Sequence, residues 1–395
     1  MELERIQQEL HAGGLDGWLL YDLHHRDLMA VRILGLDESR HASRRWFYWI
    51  PAEGEPVKLA HRVEPTQLDR LPGSKRMYLA WKELHAELAE ILGAPEKRIA
   101  MQYSPCGAIP TISVVDGGTI DLVRSFGHQV VSSADLVQSF EAVIDERGYR
   151  SHLEAGRRVQ AIKDQAFAEV ESAVRGRRRV TEYEIQQFIV ERFREAELEH
   201  DGDPIVAVND HPANPHFFPN PDNARVIEKG DTLLIDLWAK LREPGAIYYD
   251  ITWCAYVGQD PPERYVQLFN LVRDARNRAV EFIRERFREK LPCHGYEVDD
   301  ACRKVIEQAG YGPAFIHRTG HSIGQTCHGN GVNIDNLETR DERLLVPGIC
   351  FSIEPGIYLE GELGVRSEID VFITPGGEVV VAGAEQDRLI TMDVG

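Results

Sequence analysis

The sequence predicts an α+β domain preceded by a smaller α/β unit, and three observations carry that reading. At 395 residues the chain is too long for one ordinary core, so two domains are expected. The second half groups amphipathic helices before and between short strands, the pattern of an α+β fold rather than a doubly wound one. A polar stretch, Asp145-Glu146-Arg147-Gly148, lies where the pattern changes and sets the expected domains at 1–148 and 149–395.

Taken in order, Leu3, Ile6 and Leu10 fall at helical spacing, and Trp18-Leu19-Leu20-Tyr21 reads as a buried strand. Trp46 to Ile50 is a second strand, closed by Pro51, and Trp81 to Leu92 is a helix. Val130 to Leu136 begins the exit from this unit. Beyond it, Ser151 and Glu154 form a capping box for an amphipathic helix carrying Val159, Ile162, Ala166, Phe167 and Val170. Ile185, Phe188, Ile189 and Phe193 mark the next helix. Strands are expected over Ile205–Val208, Thr232–Trp238 and Tyr248–Val257. Pro261-Pro262 opens a long helix with Tyr265, Phe269, Val272, Ala279, Phe282 and Ile283 on one face. A shorter helix over Val298–Ala309 precedes strands at Ile349–Tyr358, Val365–Thr374 and Val379–Val381.

Composition narrows the function. With 43% hydrophobic and 28% charged residues the chain is globular. Its formal charge of −19 repels phosphate, which argues against nucleic-acid partners and anionic membrane surfaces. Met1-Glu2-Leu3-Glu4-Arg5 carries two acids and no apolar run behind it, and no segment approaches the roughly 20 apolar residues that span a bilayer. The six cysteines are scattered without a Cys-x-x-Cys pair and read as buried thiols, so the expected compartment is the cytoplasm.

The strongest chemical signal is a repeated pair of acids. Asp236 sits in Leu233-Leu234-Ile235-Asp236-Leu237-Trp238 and Asp250 in Tyr248-Tyr249-Asp250-Ile251-Thr252, with Pro244-Gly245 close to their midpoint. An antiparallel hairpin there would bring both aspartates near facing positions. Glu354 and Glu368 flank Gly361 in the same way, and both pairs are separated by the same 14 positions. Like charges facing each other in a sheet destabilise it, and burying them costs several kcal/mol each unless a cation compensates.

Histidines add to the acids. Phe315-Ile316-His317-Arg318-Thr319-Gly320-His321-Ser322-Ile323-Gly324 lacks the His-Glu-x-x-His of a zincin helix, and Gly320 favours a strand or loop. His328 follows, ahead of Gly329-Asn330-Gly331. A lone histidine is usually structural; three among glycines point to a site. Four carboxylates and one imidazole make a hard, oxygen-rich set for two divalent ions, suiting manganese and admitting iron, cobalt or zinc. Two ions about 3.5–4 Å apart can share a hydroxide and polarise a carbonyl, which is equipment for hydrolysing an amide.

These motifs resemble the pita-bread metallopeptidases: aminopeptidase P, prolidase, methionine aminopeptidase and creatinase. Leu15-Asp16-Gly17-Trp18-Leu19-Leu20 and Gly54-Glu55-Pro56 resemble, more loosely, the N-terminal domain of creatinases and prolidases, which favours the proline-peptidase branch. The resemblance implies that Asp236 ligates one metal and that Asp250, in Asp-Ile-Thr, bridges both. His321, in Gly-His-Ser-Ile-Gly, and Glu354, in Ile-Glu-Pro-Gly-Ile-Tyr, would hold the second, and Glu368, in Gly-Val-Arg-Ser-Glu, would be the other bridge. It further implies Glu354 as general base, His216 and His328 as contacts to the scissile peptide, His317 as a wall of the substrate pocket, and Arg366 as a support behind the ligands. The expected substrates are short proline-containing peptides, split as Xaa-Pro dipeptides or trimmed of the residue before proline. A small non-peptide amide and an inactive binding module are the alternatives. The resemblance also implies a homodimer whose first domain closes over the partner's cleft; His24, His25 and Arg26, just after the strand at Leu19–Tyr21, either reach such a cleft or form a surface loop. Four departures reshape the pocket: Trp238 where glycine is usual, a longer spacing between the aspartates through Arg242-Glu243-Pro244-Gly245, Trp253 after Asp-Ile-Thr, and Gly329 after His328.

Overall fold

The computed structural model describes residues 2–39 and 41–395, in two compact units, one ending at Glu141 and the other spanning Ala142–Gly395. The first unit runs α1 (Leu3–Ala12), β1 (Gly17–Asp22), α2 (Leu28–Leu34), β2 (Trp46–Pro51), β3 (Val57–His61), β4 (Ser74–Tyr78), α3 (Trp81–Leu92), β5 (Arg98–Met101), α4 (Gly117–Ser125), β6 (Gln129–Ser132) and α5 (Ala134–Val137). Its six strands form one mixed sheet in the order β4-β3-β2-β1-β5-β6. β1 is buried along its whole length because both faces are covered. Trp18 and Leu20 join a cluster with Ile6, Leu10 and Ile33, while Leu19 and Tyr21 join Leu84, Leu88 and Val123 on the other side.

The expected exit at Val130–Leu136 is still inside this unit: Val130 belongs to its last strand, and Leu136 packs beside Trp18. The division also falls ahead of the expected 148/149 boundary. From Ile144 onward the chain is held by the second unit, where Ile144 N–H donates to Gly348 C=O at 2.7 Å and its side chain packs with Ile247, Tyr248 and Phe372.

The second unit runs α6 (Glu146–Arg175), α7 (Glu182–Glu195), β7 (Leu198–Glu199), β8 (Ile205–Val208), β9 (Thr232–Leu241), β10 (Tyr249–Tyr256), α8 (Glu263–Glu289), α9 (Gly295–Gln308), β11 (Ser322–Ile323), β12 (Cys350–Ile353), β13 (Gly356–Leu359), β14 (Leu363–Arg366), β15 (Ile369–Ile373), β16 (Val379–Ala382) and β17 (Ile390–Thr391). One sheet takes the order β17-β10-β9-β7 with β8 also on β9, a second the order β11-β12-β15-β16, and β13 pairs β14. One core packs α6 and α7 on β8, β9 and β10, through Val159, Ile162, Ile189 and Phe193 against Val206, Ile235 and Ile251. The other packs α8 and α9 on β12, β14 and β15, through Phe269, Val272, Ile306, Phe351, Val365 and Val371. The sheets therefore carry a helical layer on each side.

Two details differ from the sequence reading. α6 begins five residues ahead of Ser151, at Glu146, because Asp145 caps it by accepting from Gly148 N–H at 2.7 Å. Ser151 then lies within the helix, donating back to Gly148 C=O, and Glu154 binds Arg157 and Arg158 instead of closing a capping box. Gly156 lets α6 lie against β10, since a Cβ there would stand 2.6 Å from the Tyr249 ring. Of the six thiols expected to be buried, Cys106 is exposed. Among the described residues no helix is long and apolar enough to cross a membrane.

Candidate functional site

The acids of β9 and β10 share a face of one sheet but do not stand opposite each other. Asp250 pairs with Trp238 and Asp236 with Thr252, so the aspartates are diagonal neighbours two positions apart. The hairpin turns one position later than their midpoint, and an even offset keeps both side chains on one face. Glu354 and Glu368 lie where the second hairpin is interrupted. Ile353 pairs with Ile369 on one side of the break and Gly356 with Arg366 on the other. Released from each other, the two backbones are caught by neighbours: Glu354 N–H donates to Thr319 C=O at 2.7 Å and Glu368 N–H to Thr252 C=O at 3.2 Å. The break thus ties the glutamates to the His321 segment and to β10.

The histidine segment crosses β12 closely. Gly320 bridges to Ile334, and a Cβ on it would lie 1.9 Å from Ser352 O, so no other residue fits ahead of His321. His321 Nδ1 faces Ser322 C=O at 3.2 Å, which places its proton there and leaves Nε2 with a free lone pair. That nitrogen stands 3.7 Å from Asp250 Oδ2 and 3.5 Å from Glu354 Oε1. Burial keeps His321 neutral, its pKa well below the ordinary value.

The five expected donors converge on a cavity of about 630 Å³ that also has His216, His317, His328 and Arg366 in its wall. Within it, the ligand atoms of Asp236, Asp250 and Glu368 lie within 4.8 Å of one another, as do those of His321, Glu354 and Glu368. Burial and mutual repulsion push the carboxyl groups upward: Asp250 and Glu368 well above the usual range, Glu354 to about 7. Asp250 Oδ1 is buried without a hydrogen-bond partner among the described residues. Oxygen-rich, mutually repelling and short of donors, this set fits divalent cations, which would take the place of the protons.

Arg366 answers part of the charge. Its guanidinium binds Asp236, donates to Thr252 Oγ1 at 3.0 Å and to Tyr358 Oη at 3.1 Å, and Thr252 Oγ1 donates to Glu368 at 2.7 Å. The Tyr358 hydroxyl donates to His317 Nε2 at 2.6 Å, while His317 Nδ1 donates to Arg318 C=O at 2.6 Å. Burial and Arg366 hold the His317 pKa down at about 3, so this chain of hydrogen bonds runs through a neutral imidazole. His328 meets the His321 ring edge-on at 4.3 Å, its turn held by Gly329 N–H donating to Ser322 C=O at 2.7 Å. His216 is exposed on the cavity wall, beside Phe217, whose ring lies tilted against His211 with centroids 4.0 Å apart.

Several residues of this site carried no signal of their own in the sequence. Cys327 donates its thiol to Asp250 Oδ2 at 3.0 Å. Asp370 accepts from Asp250 N–H at 2.8 Å; its place two residues after Glu368 was the available hint. Asp201, Arg318 and Glu338 also line the cavity, and Asp201 accepts at 2.8 Å from Trp238, one of the departures read in the sequence.

The sequence pattern of metallopeptidase family M24 matches residues 154–375. Over 347 residues the chain is 28% identical to a probable dipeptidase, PepE, of Mycobacterium tuberculosis, covering 86% of this chain and 84% of that one. Over 191 residues it is 34% identical to the Xaa-Pro dipeptidase of Pyrococcus furiosus, covering 47% of this chain and 49% of the other. The crystal structure of a dipeptidase from Pyrococcus horikoshii superposes with a TM-score of 0.65 at 27% identity, spanning 99% of this chain and 100% of that one.

Proposed function

We propose the following reaction for this chain, which belongs to metallopeptidase family M24: hydrolysis of the bond between an N-terminal residue and proline, with dipeptides as the preferred substrates, at a centre of two divalent ions. The observation that carries the reading is the convergence of Asp236, Asp250, His321, Glu354 and Glu368 on one cavity. Asp236 would hold one ion and His321 and Glu354 the other, with Asp250 and Glu368 available to both. The hard donor set suits manganese, with cobalt, iron or zinc as replacements. When bound, such ions lower the pKa of a water and polarise a carbonyl.

The chain's own groups do the rest. Glu354 takes the proton of the attacking water on a carboxylate oxygen and returns it to the departing proline nitrogen. His328 and His216 donate N–H groups to the oxygen that becomes negative as the carbonyl turns tetrahedral. Arg366 fixes Asp236 and, through Thr252, Glu368, and His317 closes the wall behind them. Arg318 favours dipeptides: its guanidinium lies at the cavity with no hydrogen bond or ion pair among the described residues, and a dipeptide brings a carboxylate where a longer peptide brings a neutral amide. The dipeptidase names of the two sequence relatives agree with this choice.

The test is a panel of Xaa-Pro dipeptides, their C-terminal amides, longer Xaa-Pro peptides and small non-peptide amides, each assayed with manganese and with chelator. Metal-dependent release of free proline, fastest from the dipeptides, is the expected result. Cleavage of the non-peptide amides alone would replace the substrate class, and rates untouched by chelation would remove the mechanism.

A further inference from the structure

We propose that Cys327 is a further donor of this centre, a thiolate ligand to the ion held between Asp250 and His321, which makes that position prefer a thiophilic divalent ion such as zinc or cobalt. The inference rests on the reading of the site as a metal centre and goes beyond it, because five oxygen and nitrogen donors alone favour manganese.

Three observations place the sulfur there. Cys327 Sγ is 3.0 Å from Asp250 Oδ2, and one ligand atom each from Asp250, His321 and Cys327 lie within 4.8 Å of one another. All three residues are buried, so the ion would replace contacts with protein rather than with solvent. Independently of the thiol, Asp250 Oδ1 is buried with no hydrogen-bond partner among the described residues, a carboxylate oxygen still open to a cation. No other cysteine among the described residues joins such a donor group: Cys254 donates to Arg366 C=O at 3.3 Å, and Cys293 and Cys302 lie in the helix–sheet core.

The loop that presents the thiol is held in place. Tyr248 N–H donates to Gly324 C=O at 2.9 Å, Gly324 N–H to Thr326 C=O at 3.1 Å, and Thr326 Oγ1 to His328 C=O at 2.9 Å. The apolar side of Cys327 packs with Tyr248, Cys350 and Phe372. As a ligand, the sulfur would sit about 2.3 Å from the ion. In the balanced step the S–H bond breaks, the metal–sulfur bond forms, and the proton leaves to solvent.

The experiment is a titration of the chelator-stripped full chain with Co2+, following the near-ultraviolet thiolate-to-cobalt charge-transfer band and the weaker visible bands of oxygen- and nitrogen-bound cobalt. The wild type should develop both, and Cys327→Ser should keep the visible bands and lose the near-ultraviolet one. Cobalt binding should release about one more proton from the wild type than from the variant. In competition, Cys327→Ser should lose about tenfold in Zn2+ affinity while Mn2+ affinity changes little. Cys327→Ala, with the same readouts and a thermal melt, guards against a folding defect in the serine variant. Visible bands without a near-ultraviolet band in the wild type, or a band that survives in Cys327→Ser, would overturn the proposal. A wild type that binds no cobalt at all would instead remove the metal centre on which it rests.

Discussion

Two groups of buried acids in the second unit invite comparison. Asp299, on α9, is fully enclosed, yet each of its oxygens is answered. Arg303 donates Nε to Oδ2 and a terminal nitrogen to Oδ1, both at 2.9 Å, and Thr319 adds its N–H at 2.9 Å and its hydroxyl at 2.6 Å. Asp250 is almost as enclosed, but its Oδ2 takes only the Cys327 thiol and its Oδ1 takes nothing. Asp299, with each oxygen answered, is part of the frame and anchors the His317–Thr319 segment. Asp250, with one oxygen left open among the described residues, can take a cation. The two are connected in sequence, since Thr319 both bonds to Asp299 and receives the Glu354 N–H.

The largest consequence of the contrast concerns turnover. Asp250→Asn and Glu354→Ala should each lower kcat/KM on an Xaa-Pro dipeptide by about 1,000-fold or more, with metal content measured alongside. Near-wild-type rates in either variant would put the unanswered acids outside the chemistry. Next in size is the frame itself. Arg303→Met strands Asp299 and should cost about 3–5 kcal/mol in urea unfolding, whereas Asp250→Asn should leave the metal-free protein no less stable. Equal losses from both would erase the distinction drawn here. His328→Ala should reduce turnover by about 100-fold while the metals stay bound; losing them would make His328 a ligand.

The smallest effect is a pH dependence that the two groups should not share. The folded pKa of Glu354 lies above its unfolded value, so the stability its proton contributes is present below about 4.5 and lost as pH rises through about 7. Asp250 and Glu368 shift in the same direction. The chelated protein should therefore melt at lower temperature as pH rises across that window, and added Mn2+ should offset the loss, because the ion binds the deprotonated acids. A flat profile with chelator would mean that protons are not what fills the empty centre.

Most of the elements, and the acids themselves, were readable along the chain, for reasons that are local. The unbroken apolar run Trp18–Tyr21 reports a strand covered on both faces, the spacing of Tyr265, Phe269, Val272 and Ile283 reports one face of a helix, and all of these residues are buried. Local rules also failed where neighbours competed. Asp145 took the cap assigned to Ser151 because it stands just ahead of the helix and reaches Gly148 N–H. The strand expected over Ile349–Tyr358 is two strands, because Pro355 has no N–H to give and Glu354 turns to Thr319. Cys327 and Asp370 were invisible as site residues, since nothing adjacent in sequence says that they approach Asp250 from two other segments.

The order of residues along this pita-bread metallopeptidase was enough to point to its family and to a metal-dependent peptidase. Five donors, two equally spaced acid pairs and the glycines around His321 appear in the sequence as identities and intervals, and short-range geometry turns those into faces and turns. Only packing could decide how the pieces meet: that Asp236 stands across from Thr252, that Arg366 reaches Asp236, and that a thiol reaches Asp250. The last two contacts join segments 130 and 77 positions apart in the chain. What brings them together is apolar area buried between α6–α7 and α8–α9 and the sheets, a force that has no direction and leaves no local signature.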